Sequence, residues 1–105
     1  MNTPIQTKKD VYSIINNNQD KIKAFGVKKI GLFGSFVREQ QSKDSDVDLL
    51  VEFEQGKKTF KNFMRLAFLL ENILKRRVEL VTPESLSPYI RPYIVKEIEY
   101  VTFTA

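Results

Sequence analysis

The sequence contains neither histidine nor cysteine. The lack of histidine excludes imidazole general bases, serine–histidine nucleophiles and the usual zinc sites. The lack of cysteine excludes disulfides and thiolate ligands for a metal. Any chemistry must therefore come from carboxylates, hydroxyls and amines, or from a hard metal ion held by oxygen atoms.

Long hydrophobic runs are also missing. No apolar stretch approaches the roughly 18 residues that a membrane-spanning helix needs, and residues 1–9 lack the apolar core of a secretory signal. We therefore expect a cytoplasmic protein without a membrane partner. The 105 residues, 42% hydrophobic and 29% charged, suit one domain over residues 1–105. The net charge of +4 suits an anionic ligand such as a nucleotide, but a few surplus lysines explain it equally well.

Strands alternate with helices along the chain. Apolar residues at helical spacing predict a first helix from Thr7 to Phe25, which Gly26 ends in a left-handed conformation. The later elements are predicted as strand, short helix, strand, long helix, strand and C-terminal helix, over residues 27–33, 36–38, 46–53, 60–74, 77–81 and 93–101. This alternation predicts an α+β fold of α/β-type order, with helices packed on one β-sheet.

Capping residues and apolar spacing add detail to the later helices. Thr59 is the expected N-cap of the long helix, and Ser87 is the expected N-cap of the last one, which Pro92 kinks or restarts. In the last helix, the apolar residues recur at Ile94, Ile98 and Val101. On the long helix the apolar side is predicted to comprise Phe60, Phe63, Met64, Ala67, Phe68, Ile73 and Leu74.

Gly34 and Ser35 lie between the first strand and the short helix, for which Ser35 is the expected N-cap. Glycine lets the backbone approach a ligand closely, and the free amides of a helix N-terminus attract phosphate groups. The serine hydroxyl can add a bond to a phosphate oxygen, and Arg38 is placed to reach a β- or γ-phosphate. Gly-Ser is also a common turn and cap, however, and a lone surface arginine carries little information.

Acidic residues mark the second and third strands. Asp46 and Asp48 are two residues apart, so their side chains project from one face and can hold one or two Mg²⁺ ions beside an α-phosphate. Glu79 lies among apolar neighbours, where its burial would be costly unless a metal compensated it. The simpler interpretations are a solvated strand start for the aspartates and, for Glu79, an edge strand facing water or a pair with Arg76 or Arg77.

The two short motifs gain weight from their fixed separation. With residue frequencies of about 5–7%, a chance match of the Gly, Ser and two Asp positions is on the order of 10⁻⁵ per window. The stretch GSFVREQQSKDSDVDLLVEF resembles the G-S, ten-residue gap, D-x-D signature of the DNA-polymerase-β-like nucleotidyltransferase superfamily. The segment RRVELVTPESLSPYIRPYIVKEIEYV resembles the C-terminal part of the minimal nucleotidyltransferases, the MntA-like antitoxins encoded beside HEPN-domain toxins.

The resemblance covers nearly the whole chain and implies a small mixed β-sheet with helices packed on it. It implies that Gly34 and Ser35 bind the triphosphate of ATP, that Asp46 and Asp48 bind Mg²⁺, and that Glu79 is a third ligand or a base. It also implies transfer of AMP from ATP to a tyrosine of a HEPN ribonuclease toxin, within a hetero-oligomeric complex, which silences that toxin.

Two positions depart from the family's pattern. Glu79 stands where relatives often have an aspartate, and its extra methylene bears on fine positioning rather than on metal binding. Glu39 stands where a glycine is frequent, so a slightly different entry into the short helix is expected.

The small size of the chain favours an acceptor on another protein, because there is no room for domains that clamp a nucleotide and present a substrate. The apolar residues Ile94, Ile98, Val101 and Phe103 either contribute to such a partner surface or pack on the chain's own sheet. Two other functions remain open: an antitoxin that acts by binding alone, and a nucleotidyltransferase whose acceptor is RNA or a small molecule. The basic residues that motivate an RNA acceptor, and that a solvated surface also explains, are Lys57, Lys58, Lys61, Arg65, Lys75, Arg76 and Arg77.

Overall fold

The structure, a computed structural model, describes residues 6–103. In chain order its elements are α1 (Lys8–Asn17), α2 (Gln19–Ala24), β1 (Val27–Phe33), a 3₁₀ turn (Gly34–Phe36), β2 (Val47–Phe53), α3 (Phe60–Leu74), β3 (Val78–Val81), a second 3₁₀ turn (Pro83–Ser85), α4 (Arg91–Glu97) and β4 (Glu99–Tyr100). None of these helices has the length and hydrophobicity that crossing a bilayer requires.

The four strands form one sheet in the order β3-β2-β1-β4. β1 runs antiparallel to both β2 and β4, whereas β2 and β3 are parallel. The parallel pair is possible because α3 forms the crossover between β2 and β3. The predicted α+β fold, a small mixed sheet with helices packed on it, is therefore confirmed.

One face of the sheet carries the hydrophobic core. Paired residues of β1 and β2, such as Ile30 opposite Val51 and Leu32 opposite Leu49, are fully buried there. Because side chains alternate along a strand, these positions all point to the same face. The helices α1, α2 and α3 complete that core with Val11, Ile15, Ile22, Leu66, Leu70 and Leu74.

The first predicted helix is divided into two. Thr7 begins α1 with a capping box shared with Asp10, in agreement with the predicted start. At Asn18, however, the backbone leaves the helical region, and its side-chain amide donates to the carbonyl oxygen of Ile14 at 2.8 Å. Asparagine competes in this way for backbone hydrogen bonds, which explains the interruption. Gly26 follows α2 with φ 86°, so the predicted left-handed conformation is confirmed.

The predicted apolar side of the long helix is partly wrong. Thr59 caps α3 as expected, since its side chain accepts a hydrogen bond from the Asn62 amide. The fully buried residues of α3 follow an i, i+4 row at 66, 70 and 74, whereas Phe60 and Phe68 are 81% and 64% exposed. α3 is apolar around much of its circumference, so spacing alone did not identify the buried side.

The C-terminal segment also differs from the prediction. Ser87 caps only a turn, and α4 starts at Arg91, with Pro92 in its first turn. The helix ends at Glu97 instead of continuing to 101, because residues 99–100 form β4 along the edge of β1. Strand pairing with β1 therefore outweighs the helical spacing of the apolar residues.

α4 covers part of the second face of the sheet. A β-carbon on Gly31 would lie 2.7 Å from the side chain of Ile98, so glycine is what allows this close approach. Leu50, the pairing partner of Gly31, is buried on this face, as is Ile94 of α4. The end of this face near the start of β2 remains accessible, and the acidic residues lie there.

Candidate active site

The first part of the site is the turn that follows β1. Gly34 has φ 78°, in the left-handed region that favours glycine. A β-carbon at this position would lie 2.1 Å from Oδ2 of Asp48, so the turn lies directly against that carboxylate. Phe36 is fully buried and anchors the turn in the core. The sheet therefore brings the predicted phosphate-binding turn and one predicted metal ligand into direct contact.

The turn differs in detail from the predicted strand-to-helix junction. Ser35 is the second residue of a 3₁₀ turn that begins at Gly34, with Phe33 in the cap position, so Ser35 is not an N-cap. Within residues 6–103, neither the amide nor the hydroxyl of Ser35 has a hydrogen-bond partner. Both groups are therefore free to donate to a ligand, which the predicted role requires.

Strand register aligns the acidic residues with this turn. Asp48 lies opposite Phe33 of β1 on one side and beside Glu79 of β3 on the other. Asp46 precedes β2, and its Oδ1 lies 3.3 Å from Nε of Arg77. Three carboxylates from two parallel strand ends thus stand at one edge of the second face.

The carboxylates act on one another electrostatically. Burial of its carboxyl group, together with a hydrogen bond shared with Glu79 and the charge of Asp46, raises the pKa of Asp48 to about 7. The guanidinium of Arg38 opposes this shift. Crowded carboxylates of this kind are the oxygen donors that Mg²⁺ prefers, and a divalent cation would offset their mutual repulsion. The chemistry of the donor set, crowded carboxylate oxygens, therefore fits Mg²⁺.

Glu79 is not buried as its apolar neighbours suggested. It is exposed on β3, an edge strand of the sheet, so the argument from the cost of its burial was wrong. It pairs with neither arginine: Arg77 binds Asp46, and Arg76 donates to backbone carbonyl groups. Among residues 6–103, no three acidic side chains already have the arrangement of a metal site. The role of Glu79 as a third ligand stays a prediction.

Arg38 is exposed and is held by two side chains. Its Nη1 lies 2.8 Å from Oε1 of Glu97, and its Nε donates to Gln40 at 3.1 Å. The other carboxylate oxygen of Glu97 accepts a hydrogen bond from the Gly34 amide at 2.6 Å. The end of α4 is thereby joined to the predicted phosphate-binding turn.

A family model for the nucleotidyltransferase domain matches residues 11–101, which include the turn, the three carboxylates and most of the fold. The chain belongs to the nucleotidyltransferase-domain family. It is therefore a nucleotidyltransferase enzyme by family.

Individual relatives agree with this assignment. The nucleotidyltransferase is 40% identical over 96 residues to the protein adenylyltransferase MntA of Thermococcus cleftensis, covering 90% of this chain and 96% of the relative. A solved structure of a minimal nucleotidyltransferase is 30% identical and superposes with a TM-score of 0.69 over 88% of this chain and 89% of the other. A toxin–antitoxin structure with AMP-PNP is 25% identical, with a TM-score of 0.66 over 85% of this chain and 73% of the other.

The backbone conformation of Glu39 bears on the second departure from the family's pattern, the glutamate at a position where glycine is expected. Its φ is 58°, so it adopts the left-handed conformation for which glycine is the usual choice. The nucleotidyltransferase therefore has a backbone conformation suited to glycine at this position, although the residue is glutamate. Glu39 follows the 3₁₀ turn, so this conformation sets the direction of the chain after the turn.

Two residues of the site were not found from the sequence. Glu97 is 63 positions from Gly34 in the chain, and its only local signal is an acid at a helix C-terminus, where the helix dipole disfavours it. Arg76 donates from Nη1 to the carbonyl oxygens of Ser42, Lys43 and Ser45 at 2.8–3.2 Å. It thereby holds the loop that leads into Asp46, a role that no short motif indicates.

Proposed function

We propose that this nucleotidyltransferase is a Mg²⁺-dependent protein adenylyltransferase that transfers AMP from ATP to a tyrosine of a HEPN ribonuclease toxin in the cytoplasm and so acts as its antitoxin. The observation that carries the proposal is the contact of the Gly34 turn with Asp48, in register with Glu79. A phosphate binder and a carboxylate cluster side by side are what nucleotidyl transfer requires.

Each residue of the site has a proposed task. The Ser35 amide and hydroxyl, and the guanidinium of Arg38, bind the β- and γ-phosphates and orient the α-phosphate towards the carboxylates. Asp46 and Asp48 would hold Mg²⁺, which would supply charge neutralisation at the α-phosphate and on the leaving pyrophosphate. Glu79, beside Asp48 on the neighbouring strand, is assigned the role of the base.

The transfer exchanges one bond at phosphorus for another. The phenolic oxygen of the acceptor tyrosine forms a bond to the α-phosphorus, and the bond from that phosphorus to the bridging oxygen breaks to release pyrophosphate. Glu79 takes up the phenolic proton, because it is exposed at the sheet edge where an acceptor side chain arrives. ATP as the donor is supported by the name of the 40% identical relative and by AMP-PNP in the toxin–antitoxin structure.

We assign the partner surface to α4 and the turn before it. The tail residues named from the sequence are largely used internally: Ile94 is buried, and Val101 and Phe103 pack against the core. Five of the seven exposed large apolar side chains among the described residues lie in this part of the chain instead, at Tyr89, Ile90, Tyr93, Val95 and Tyr100. An exposed cluster of this kind is typical of a protein-binding surface. An acceptor seated there would lie beside Glu97 and hence beside the site.

The test is intact-protein mass spectrometry of the HEPN toxin after incubation with this chain, ATP and Mg²⁺. We expect a mass gain of one or more AMP units, abolished by EDTA and by Asp48→Asn. Asp44→Asn is the matched control, because Asp44 is an exposed aspartate of the loop before the site and should be dispensable. Tight binding of the toxin without any mass gain would favour the antitoxin that acts by binding alone. AMP transfer to RNA but not to the toxin would favour a nucleic-acid acceptor.

A further inference from the structure

The carboxylate of Glu97 accepts hydrogen bonds from two of the donors around the proposed triphosphate site. Oε2 of Glu97 accepts from the Gly34 amide at 2.6 Å, and Oε1 pairs with Nη1 of Arg38 at 2.8 Å. The two oxygens of Glu97 thus bridge a backbone amide and a guanidinium, as two oxygens of a phosphate group can. The side chain of Glu97 therefore has the charge and the geometry of a bound anion.

The position of Glu97 does not come from its own helix. It is the last residue of α4, where the partial negative charge of the helix end disfavours a carboxylate. The contacts with Gly34 and Arg38 compensate for this. The side chains of Glu97 and Arg38 are 23% and 49% exposed, so both are accessible to a ligand from solvent.

We propose that Glu97 is an internal anion that occupies the phosphate-binding turn in the nucleotide-free protein, and that the triphosphate displaces it from Gly34 and Arg38. The inference rests on the proposed function, since it concerns the same nucleotide site. The amide and the hydroxyl of Ser35, which have no partner among the described residues, are available for first contact with the ligand. Displacement favours ligands with several phosphate charges over a nucleoside monophosphate, so Glu97 contributes to specificity for the triphosphate.

Calorimetric titration of the full chain with AMP-PNP and Mg²⁺ tests this inference through Glu97→Gln. Glutamine keeps an oxygen for the Gly34 amide but loses the charge that holds Arg38. We expect AMP-PNP to bind roughly two- to fivefold more tightly, the range expected when an exposed ion pair no longer competes. In turnover, KM for ATP should fall by a similar factor.

Glu84→Gln is the matched control. It changes the net charge equally and removes an ion pair of similar geometry, 2.9 Å to Lys58, at the far end of β3. Its affinity for AMP-PNP should equal that of the wild type. If Glu84→Gln tightened binding as much as Glu97→Gln, net charge would be the cause and the inference would be overturned. Weaker or unchanged binding by Glu97→Gln would also overturn it, because Glu97 would then position the site or serve stability alone.

A second measurement needs no variant. In nuclear magnetic resonance spectra of the wild type, saturation with AMP-PNP and Mg²⁺ should shift both the Gly34 amide and the side-chain carboxyl carbon of Glu97. A Glu97 carboxyl signal that does not move at saturation would contradict displacement. Failure of the proposed function looks different: neither the folded wild type nor Glu97→Gln would bind AMP-PNP at all.

Discussion

At the scale of single residues, the decisive contact is between a glycine and a carboxylate. Position 34 favours glycine for two separate reasons. Its φ is 78°, and the missing β-carbon leaves space for the side chain of Asp48. The first reason applies to many turns. The second ties the proposed phosphate-binding turn to the acidic cluster, so a small change at Gly34 should affect both the chemistry and the stability of the fold.

We expect Gly34→Ala to lower the rate of AMP transfer about 100-fold or more and to lower the free energy of unfolding by about 2–4 kcal/mol. The left-handed conformation accounts for about 1–2 kcal/mol of this for a non-glycine residue, and displacement of Asp48 accounts for the rest. A shift of the reacting groups by about 1 Å already lowers rates about 100-fold. Transfer assays and urea denaturation measure the two effects.

Gly56→Ala separates the two contributions. Gly56 has φ 79°, but among residues 6–103 no atom beyond its chain neighbours lies within 4 Å of the position of its β-carbon. This control should therefore show only the conformational part of the stability loss and retain full transfer activity. Equal activity of the Gly34 and Gly56 variants would show that contact with Asp48 is irrelevant to catalysis.

At the scale of elements, loops and helix ends position the site as much as the strands do. The loop between the 3₁₀ turn and β2 carries Asp46, and its carbonyl oxygens converge on one guanidinium group, that of Arg76 after α3. Arg76 also lies over the ring of Phe36, 5.0 Å from its centre. One side chain thus joins the loop, the turn and the end of α3.

We expect Arg76→Ala to lower the free energy of unfolding by about 1–2 kcal/mol, because several charge-assisted hydrogen bonds to partly exposed carbonyl groups are lost. AMP transfer should fall more than stability alone explains, since Asp46 loses its support. Thermal unfolding and transfer rates at a temperature where the variant is folded measure both. Arg65→Ala, an exposed arginine on α3, is the control and should be near neutral. A fully active Arg76→Ala protein would contradict the positioning role.

At the scale of the whole molecule, the two faces of the sheet have different tasks. One face is closed by α1, α2 and α3 around the core, whereas the other carries α4, the acidic residues and most of the exposed apolar side chains. The proposed partner surface and the proposed catalytic site therefore share a face. In the proposed complex, an acceptor protein bound on α4 would bring its tyrosine to the site.

We expect Tyr93→Ser to weaken binding of the HEPN toxin about tenfold or more, as truncation of an exposed aromatic anchor at an interface does. Tyr93 is 73% exposed on α4. Phe68→Ser is the control, because Phe68 is 64% exposed on α3, against the opposite face. Biolayer interferometry with immobilised toxin measures both affinities. A loss of affinity only with Phe68→Ser would place the toxin on the α3 side instead.

Much of this architecture could be predicted from the sequence because the signals are local. Three features follow from residues that are close together in the sequence: the strand before Gly34, the cap at Thr59 and the left-handed conformation of Gly26. The missing histidine and cysteine restricted the chemistry to oxygen donors. The fixed separation of the two motifs and their strand–turn–helix context predicted that Asp46 and Asp48 act with Gly34 and Ser35. The register of β1 and β2 explains this association for Asp48, because it lies opposite Phe33, the residue before Gly34.

Only the tertiary structure decided the contacts that join distant segments. Glu97 and Arg76 reach the site from elements far along the chain, and no short pattern encodes such contacts. The exposure of Glu79 depended on β3 lying at the edge of the sheet, which strand composition does not reveal. The last helix ended early because β1 had an unpaired edge for residues 99–100. Local propensity thus determined which elements form and which chemistry they carry, whereas packing and strand pairing determined which side chains meet.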